Sequence, residues 1–142
     1  MTFYKSVDQL PPFTDYAIKG RTYRYFKGES LYPFGFGLSY STFEYSGLSA
    51  KRTPNGAEIR ATVRNTSARD GDEVVQLYVG GGPEEGAPIR SLRGFQRIRL
   101  RAGESREVSF TLGSDDLPES KLDISVGGGQ PAAGIPHVTG TL

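Results

Sequence analysis

The sequence predicts an all-β chain, an antiparallel β-sandwich of about seven strands behind an extended, irregular N-terminal arm. Three observations lead there. From about residue 43 onward, apolar and polar residues alternate with a period of two. Clusters of Gly, Pro, Asn and Asp punctuate that pattern at short intervals. No stretch repeats its apolar residues every 3.6 positions, as an amphipathic helix would. Short, regularly interrupted strands of this kind build two-layer antiparallel folds.

Taken in order, the first expected strand covers residues 43–51. The second, 57–65, alternates cleanly and places Ala57, Ile59, Ala61 and Val63 on its inward face. The third, 72–80, runs Glu73-Val74-Val75-Gln76-Leu77-Tyr78-Val79 and is apolar on nearly both faces, which suits a central strand covered on both sides. A fourth spans 89–100, with a break expected near Gly94. The fifth, sixth and seventh are expected at 105–112, 121–127 and 137–142, where Val108, Phe110 and Leu112, then Leu122, Ile124 and Val126, repeat the alternation. Thr53-Pro54-Asn55-Gly56, Ala68-Arg69-Asp70-Gly71-Asp72, Gly80-Gly81-Gly82-Pro83, Ala102-Gly103-Glu104 and Gly127-Gly128-Gly129 supply the turns.

Residues 1–42 follow different rules. Every Tyr and Phe except Tyr78, Phe95 and Phe110 lies at or before position 45. The prolines of Leu10-Pro11-Pro12 and Tyr32-Pro33 favour extended backbone, and Gly20, Gly28, Gly35 and Gly37 permit bends. This segment reads as an aromatic linker arm, with 43–142 as the folded domain. Six of its rings, Tyr23, Tyr25, Phe26, Tyr32, Phe34 and Phe36, stand out as contact residues. Buried together at ~150 Å² each and ~25 cal/mol per Å², they would contribute at most on the order of 20 kcal/mol. A whole domain has a net stability of only ~5–15 kcal/mol, so such surface is seldom left in water. Tyr32, Phe34 and Phe36 are expected to divide their burial between the first turn of the sandwich and a partner surface.

Composition excludes several function classes. Lys plus Arg is 17 against 16 Asp plus Glu, so a net charge of +1 offers no basic field for nucleic acid and no polybasic membrane anchor. The chain has no cysteine, hence no disulfide framework or thiolate metal site. Apolar runs are far too short to span a bilayer. The N-terminal residues lack the layout of a signal peptide and read as the interior of something longer.

Isolated candidates for chemistry favour plainer readings. Asp70, Asp72 and Glu73 resemble half a calcium loop, but such a site needs six or more oxygens, and a polar hairpin turn accounts for them better. Asp115-Asp116 sits between Gly113-Ser114 and Leu117-Pro118 and reads as loop or a capped turn. His137 is the only histidine, which nearly excludes a zinc site or a Cys/His dyad. Neither triple-glycine run leads into a phosphate-binding sequence. Arg90, Arg93, Arg97, Arg99 and Arg101 make one edge basic, as a solvated strand face that discourages sheet-to-sheet pairing. Asn65-Thr66-Ser67 is a glycosylation sequon.

The ordered motifs carry a family resemblance. Gly20-Arg21-Thr22-Tyr23-Arg24-Tyr25-Phe26 and then Leu31-Tyr32-Pro33-Phe34-Gly35-Phe36-Gly37-Leu38-Ser39-Tyr40-Ser41-Thr42-Phe43 resemble the junction that opens the C-terminal fibronectin type III-like domain of family 3 glycoside hydrolases. The likeness continues through Asp70-Gly71-Asp72-Glu73-Val74-Val75-Gln76-Leu77-Tyr78-Val79, Leu92-Arg93-Gly94-Phe95-Gln96-Arg97-Ile98, and Ala102-Gly103-Glu104 leading to Val108-Ser109-Phe110. It implies an immunoglobulin/fibronectin type III-like sandwich, no catalytic residue, no metal and no cofactor in this chain. The implied parent is a secreted or periplasmic, retaining, exo-acting β-glucosidase or β-xylosidase. Its carboxylates, about 5–5.5 Å apart, would lie on a barrel and an α/β domain, the implied partners of the arm. Ser6-Val7-Asp8-Gln9-Leu10-Pro11-Pro12-Phe13 leans slightly toward xylosidase-like members. Two roles follow, a structural interdomain module or a carbohydrate-binding module that stacks rings on oligosaccharide. The lack of Trp, and rings carried on a bent arm and not along a sheet face, favour the first.

Overall fold

The computed structural model describes residues 2–81, 86–114, 117 and 120–142. Among the described residues, the sandwich is built from seven strands: β3 (Phe43–Thr53), β4 (Gly56–Asn65), β5 (Gly71–Gly80), β6 (Arg90–Leu100), β7 (Ser105–Gly113), β8 (Asp123–Gly127) and β9 (His137–Thr141). Their positions follow the alternation in the sequence closely, because each inward apolar set has a core to bury it.

A three-stranded sheet, β3-β4-β7, faces a four-stranded sheet, β6-β5-β8-β9, and all the pairings are antiparallel. Ala57, Ile59, Ala61 and Val63 of β4 point inward beside Val108, Phe110 and Leu112 of β7. Opposite them lie Val75, Leu77 and Val79 of β5, with Ile98, Leu100, Ile124 and Val126 from its neighbours. Side chains with a period of two thus interleave from both layers. The β3–β4 turn depends on Gly56, whose φ is +142° and where a Cβ would lie 1.9 Å from the Leu112 carbonyl oxygen.

The break expected near Gly94 is a bulge within a continuous β6. The register between β5 and β6 slips between Leu77 and Tyr78, which pair with Gly94 and Leu92. Gly94 packs against the Phe110 ring, where a Cβ would come to 3.0 Å.

Short regular elements interrupt the arm, which differs from the wholly irregular segment expected. β1 (Phe3–Tyr4) pairs antiparallel with β2 (Ser30–Tyr32), with Phe3 opposite Tyr32. A 3-10 turn covers Val7–Gln9, and α1 covers Thr22–Tyr25. Two- to four-residue elements are too short to show a period, and the β1–β2 pair joins residues distant in sequence. The Lys5 ammonium reaches the Glu29 carboxylate at 2.5 Å, and the Gln9 amide accepts the Lys5 N–H and donates to the Glu29 carbonyl. Phe3 and Tyr4 add edge-to-face contacts to Tyr32 and Phe26. Together these bonds tie the two ends of the arm into a clasp.

Candidate interdomain surface

β5 presents Gln76, Tyr78 and Gly80 on the outer face of the four-stranded sheet, opposite to its core-facing valines and leucine. Gln76 and Tyr78 are nonetheless buried. Their cover is the arm, which supplies the second face that this apolar strand requires. The Tyr23 ring stacks on Phe34 with centroids 4.1 Å apart and meets Tyr78 edge-on at 6.2 Å. Burial, with Tyr23 beside it, pushes the Tyr78 hydroxyl above its ordinary range, and Arg90 opposes the shift.

Polar groups fix the arm in register. The Gln76 amide nitrogen donates to the carbonyls of Gly35 (3.3 Å) and Gly128 (3.2 Å), and its Oε1 accepts the Tyr78 hydroxyl at 2.7 Å. Gln130 donates its N–H to the Phe34 carbonyl at 2.9 Å, and its side-chain oxygen accepts the Phe34 N–H at 3.3 Å. At the other end of the arm, the Leu92 N–H donates to the Tyr23 hydroxyl and the Ile89 N–H to the Arg24 carbonyl. Gly35 makes the close approach feasible. Its φ is +80°, and a Cβ there would fall 2.3 Å from Gln76 Oε1.

The six rings singled out in the sequence therefore separate. Tyr23 and Phe34 turn toward the chain's own sheet. Tyr25 lies half-buried under the Arg24 guanidinium, and Phe26 is half-buried against Tyr4. Tyr32 and Phe36 lean on each other with centroids 5.2 Å apart, yet remain 47% and 42% exposed. With Phe3, Pro33 and Leu38 they line a shallow concavity of about 500 Å³. Leu38 and, outside the concavity, Tyr40 are 94% and 92% exposed. One side of the arm is anchored and the other displays apolar surface to solvent. Sequence reading did not find Gln76 and Gln130. Gln76 carries a usable signal, since a lone amide inside an otherwise apolar strand must be buried with partners.

The remaining candidates are accounted for by local bonding. Asp72 pairs with Arg97 at 2.5 Å and Asp70 with Arg99 at 3.6 Å, so much of the basic edge is neutralised. Among the described residues, no cluster of acidic or His side chains could hold a metal ion. His137 Nδ1 lies 2.7 Å from the Ile135 carbonyl oxygen. Gly80 and Gly127 close strands β5 and β8, not loops. Asp115 and Asp116 lie outside the described residues. Asn65 is fully buried, its Nδ2 donating to the carbonyls of Arg69 and Leu100, so the sequon is inaccessible in the folded chain. Glu73 faces the Tyr45 hydroxyl beside Gly128, without the alignment of a well-formed hydrogen bond. Burial raises the Glu73 carboxyl above its ordinary value, with Tyr45 and the Val74 N–H opposing.

A three-on-four antiparallel sandwich with this strand order defines a β-domain of fibronectin type III-like architecture. The family model for the fibronectin type III-like domain matches residues 73–118, from the middle of the fold. The chain is 41% identical over 119 residues to a xylan 1,4-β-xylosidase of Xylanibacter ruminicola, covering 82% of this chain and 14% of that protein. Among solved structures, β-glucosidase 3B of Thermotoga neapolitana superposes with a TM-score of 0.75 at 30% identity, over 84% of this chain and 18% of that one. A GH3 β-glucosidase of Bifidobacterium adolescentis gives 0.67 at 36% identity, over 78% and 18%. The chain belongs to the fibronectin type III-like domains of family 3 glycoside hydrolases, and spans about a sixth of the length of these proteins.

Proposed function

We propose that this chain is the non-catalytic interdomain module of a retaining, exo-acting family 3 enzyme that removes terminal β-linked glucose or xylose. Its exposed rings lie against the catalytic barrel and α/β domains of that enzyme. The observation that carries this reading is the two-sided arm. Tyr23, Phe34 and Gly35 lock it to the sheet, while Phe3, Tyr32, Phe36 and Leu38 form an apolar concavity turned away from the core. A rigidly mounted apolar surface supports positioning, because an ångström of misplacement between catalytic groups can cost about a hundredfold in rate. Residues 1–42 act as the linker arm and 43–142 as the module.

The test is made in the full-length enzyme carrying this domain. Tyr32→Ser combined with Phe36→Ser is expected to lower kcat and the melting temperature together, leaving the isolated domain folded. Full activity and unchanged melting in that double variant would overturn the proposal.

A further inference from the structure

A second concavity, of about 470 Å³, opens on the outer face of the four-stranded sheet, at the margin of the region covered by the arm. Its lining is mixed, with apolar surface from Ile89, Ile124 and Pro131 beside polar groups of both signs. The Arg90 guanidinium is half-buried and, among the described residues, has no carboxylate partner; its Nη1 donates to the Pro131 carbonyl at 3.0 Å. Asp123 contributes a carboxylate, and Thr139 and Thr141 contribute hydroxyls. Ser125, in the middle of β8, is only 6% exposed, and its Oγ has no hydrogen-bond partner among the described residues. A buried hydroxyl left unpaired is unfavourable in the free protein and becomes favourable when a ligand supplies the missing group.

We propose that this concavity binds a neutral pyranose unit, with Ser125, Arg90 and Thr139 as its polar contacts. Among the described residues, one cation and one anion in the lining leave no net charge to select an ion, and a ring bearing alternating hydroxyls both donates and accepts. The volume lies within the ~300–1,000 Å³ of small-molecule sites. Tyr78, paired with Ser125 across the β5–β8 ladder, also lines the concavity. Because Tyr78 is already held by Gln76 and Tyr23, that side is preformed. The site is separate from the exposed rings of the arm, so sugar recognition here does not depend on the interdomain role.

The experiment is an amide-resolved NMR titration of the 142-residue chain with xylobiose and with cellobiose. Saturable shifts at Arg90, Ser125 and Thr139 are expected, with millimolar affinity. Ser125→Ala should weaken that binding about fivefold, the effect of one hydrogen bond, and melt no lower than the parent. Thr139→Val should weaken it similarly. The proposal is overturned by the absence of shifts at about tenfold over millimolar sugar, where a site of that affinity is mostly filled. It is equally overturned by shifts confined to Tyr32 and Phe36, or by a Ser125→Ala chain that melts lower, which would show that the hydroxyl is already bonded.

Discussion

Phe34 and Gln130 bond to each other twice across the chain. The Phe34 carbonyl accepts the Gln130 N–H at 2.9 Å, and the Phe34 N–H donates to the Gln130 side-chain oxygen at 3.3 Å. This reciprocal pair joins the arm to the β8–β9 loop, and with Gln76 it fixes the height of the arm above the sheet.

Gly35→Ala should loosen that attachment. The substitution combines a left-handed φ with a Cβ placed against Gln76, whose amide is already bonded on both sides and has no room to retreat. A loss of about 2 kcal/mol or more is expected from strain and broken bonds, read by urea denaturation. Amide exchange should speed up at residues 33–36 while the β4 amides stay protected.

Tyr78→Phe isolates one hydroxyl. It removes the donor to Gln76 Oε1 while keeping the ring against Tyr23. The expected cost is about 1–2 kcal/mol, with hydrophobic packing conserved. Tyr23→Ala in the same background should cost more, through the lost stack on Phe34.

Glu73 makes stability depend on pH in an unusual direction for a carboxylate. Its folded value is raised, so the native state binds the proton more tightly than the unfolded chain does. The cost of ionising it is complete above the folded value, diminishes as pH falls through that value, and vanishes below the unfolded value of about 4.5. Glu73→Gln should therefore stabilise the chain most near neutrality and converge with the parent in acid. Parallel melting curves of the two proteins from pH 4 to pH 7.5, with a constant offset, would refute this assignment.

Asn65→Ala should cost about 2–3 kcal/mol, because the carbonyls of Arg69 and Leu100 lose their buried donor. For the same reason, expression in a glycosylating host should give a folded chain without glycan at Asn65, checked by intact mass.

On the isolated domain, Tyr32→Ser and Phe36→Ser together should cost about 2–4 kcal/mol, since each ring is still more than half covered and the two lean on each other. Sedimentation at high concentration should show less self-association than the parent, as expected on removing an apolar patch.

The sandwich was legible in the sequence because its signal is local and repeated: Ala57, Ile59, Ala61 and Val63 announce the inward face of β4, and turns mark its ends. The arm was legible only as composition. Nothing in the spacing of Tyr23 and Phe34 says that they stack on each other over Tyr78 while Tyr32 and Phe36 face outward. That division is decided by bonds between distant parts of the chain, such as Gln76 to Gly35 and Phe34 to Gln130. Ser125 was hidden for a related reason. In Asp123-Ile124-Ser125-Val126 it sits where alternation assigns a wet face, and only the fold shows that this position is enclosed.

The pairing of Phe3 with Tyr32 also has a covalent consequence. Neighbouring strands lie ~4.8 Å apart, so any polypeptide joined ahead of Phe3 is delivered beside the displayed rings. A body tethered there meets them at an effective concentration in the millimolar range, so apolar contacts with a Kd of only about 0.1 mM would hold it in place roughly nine-tenths of the time.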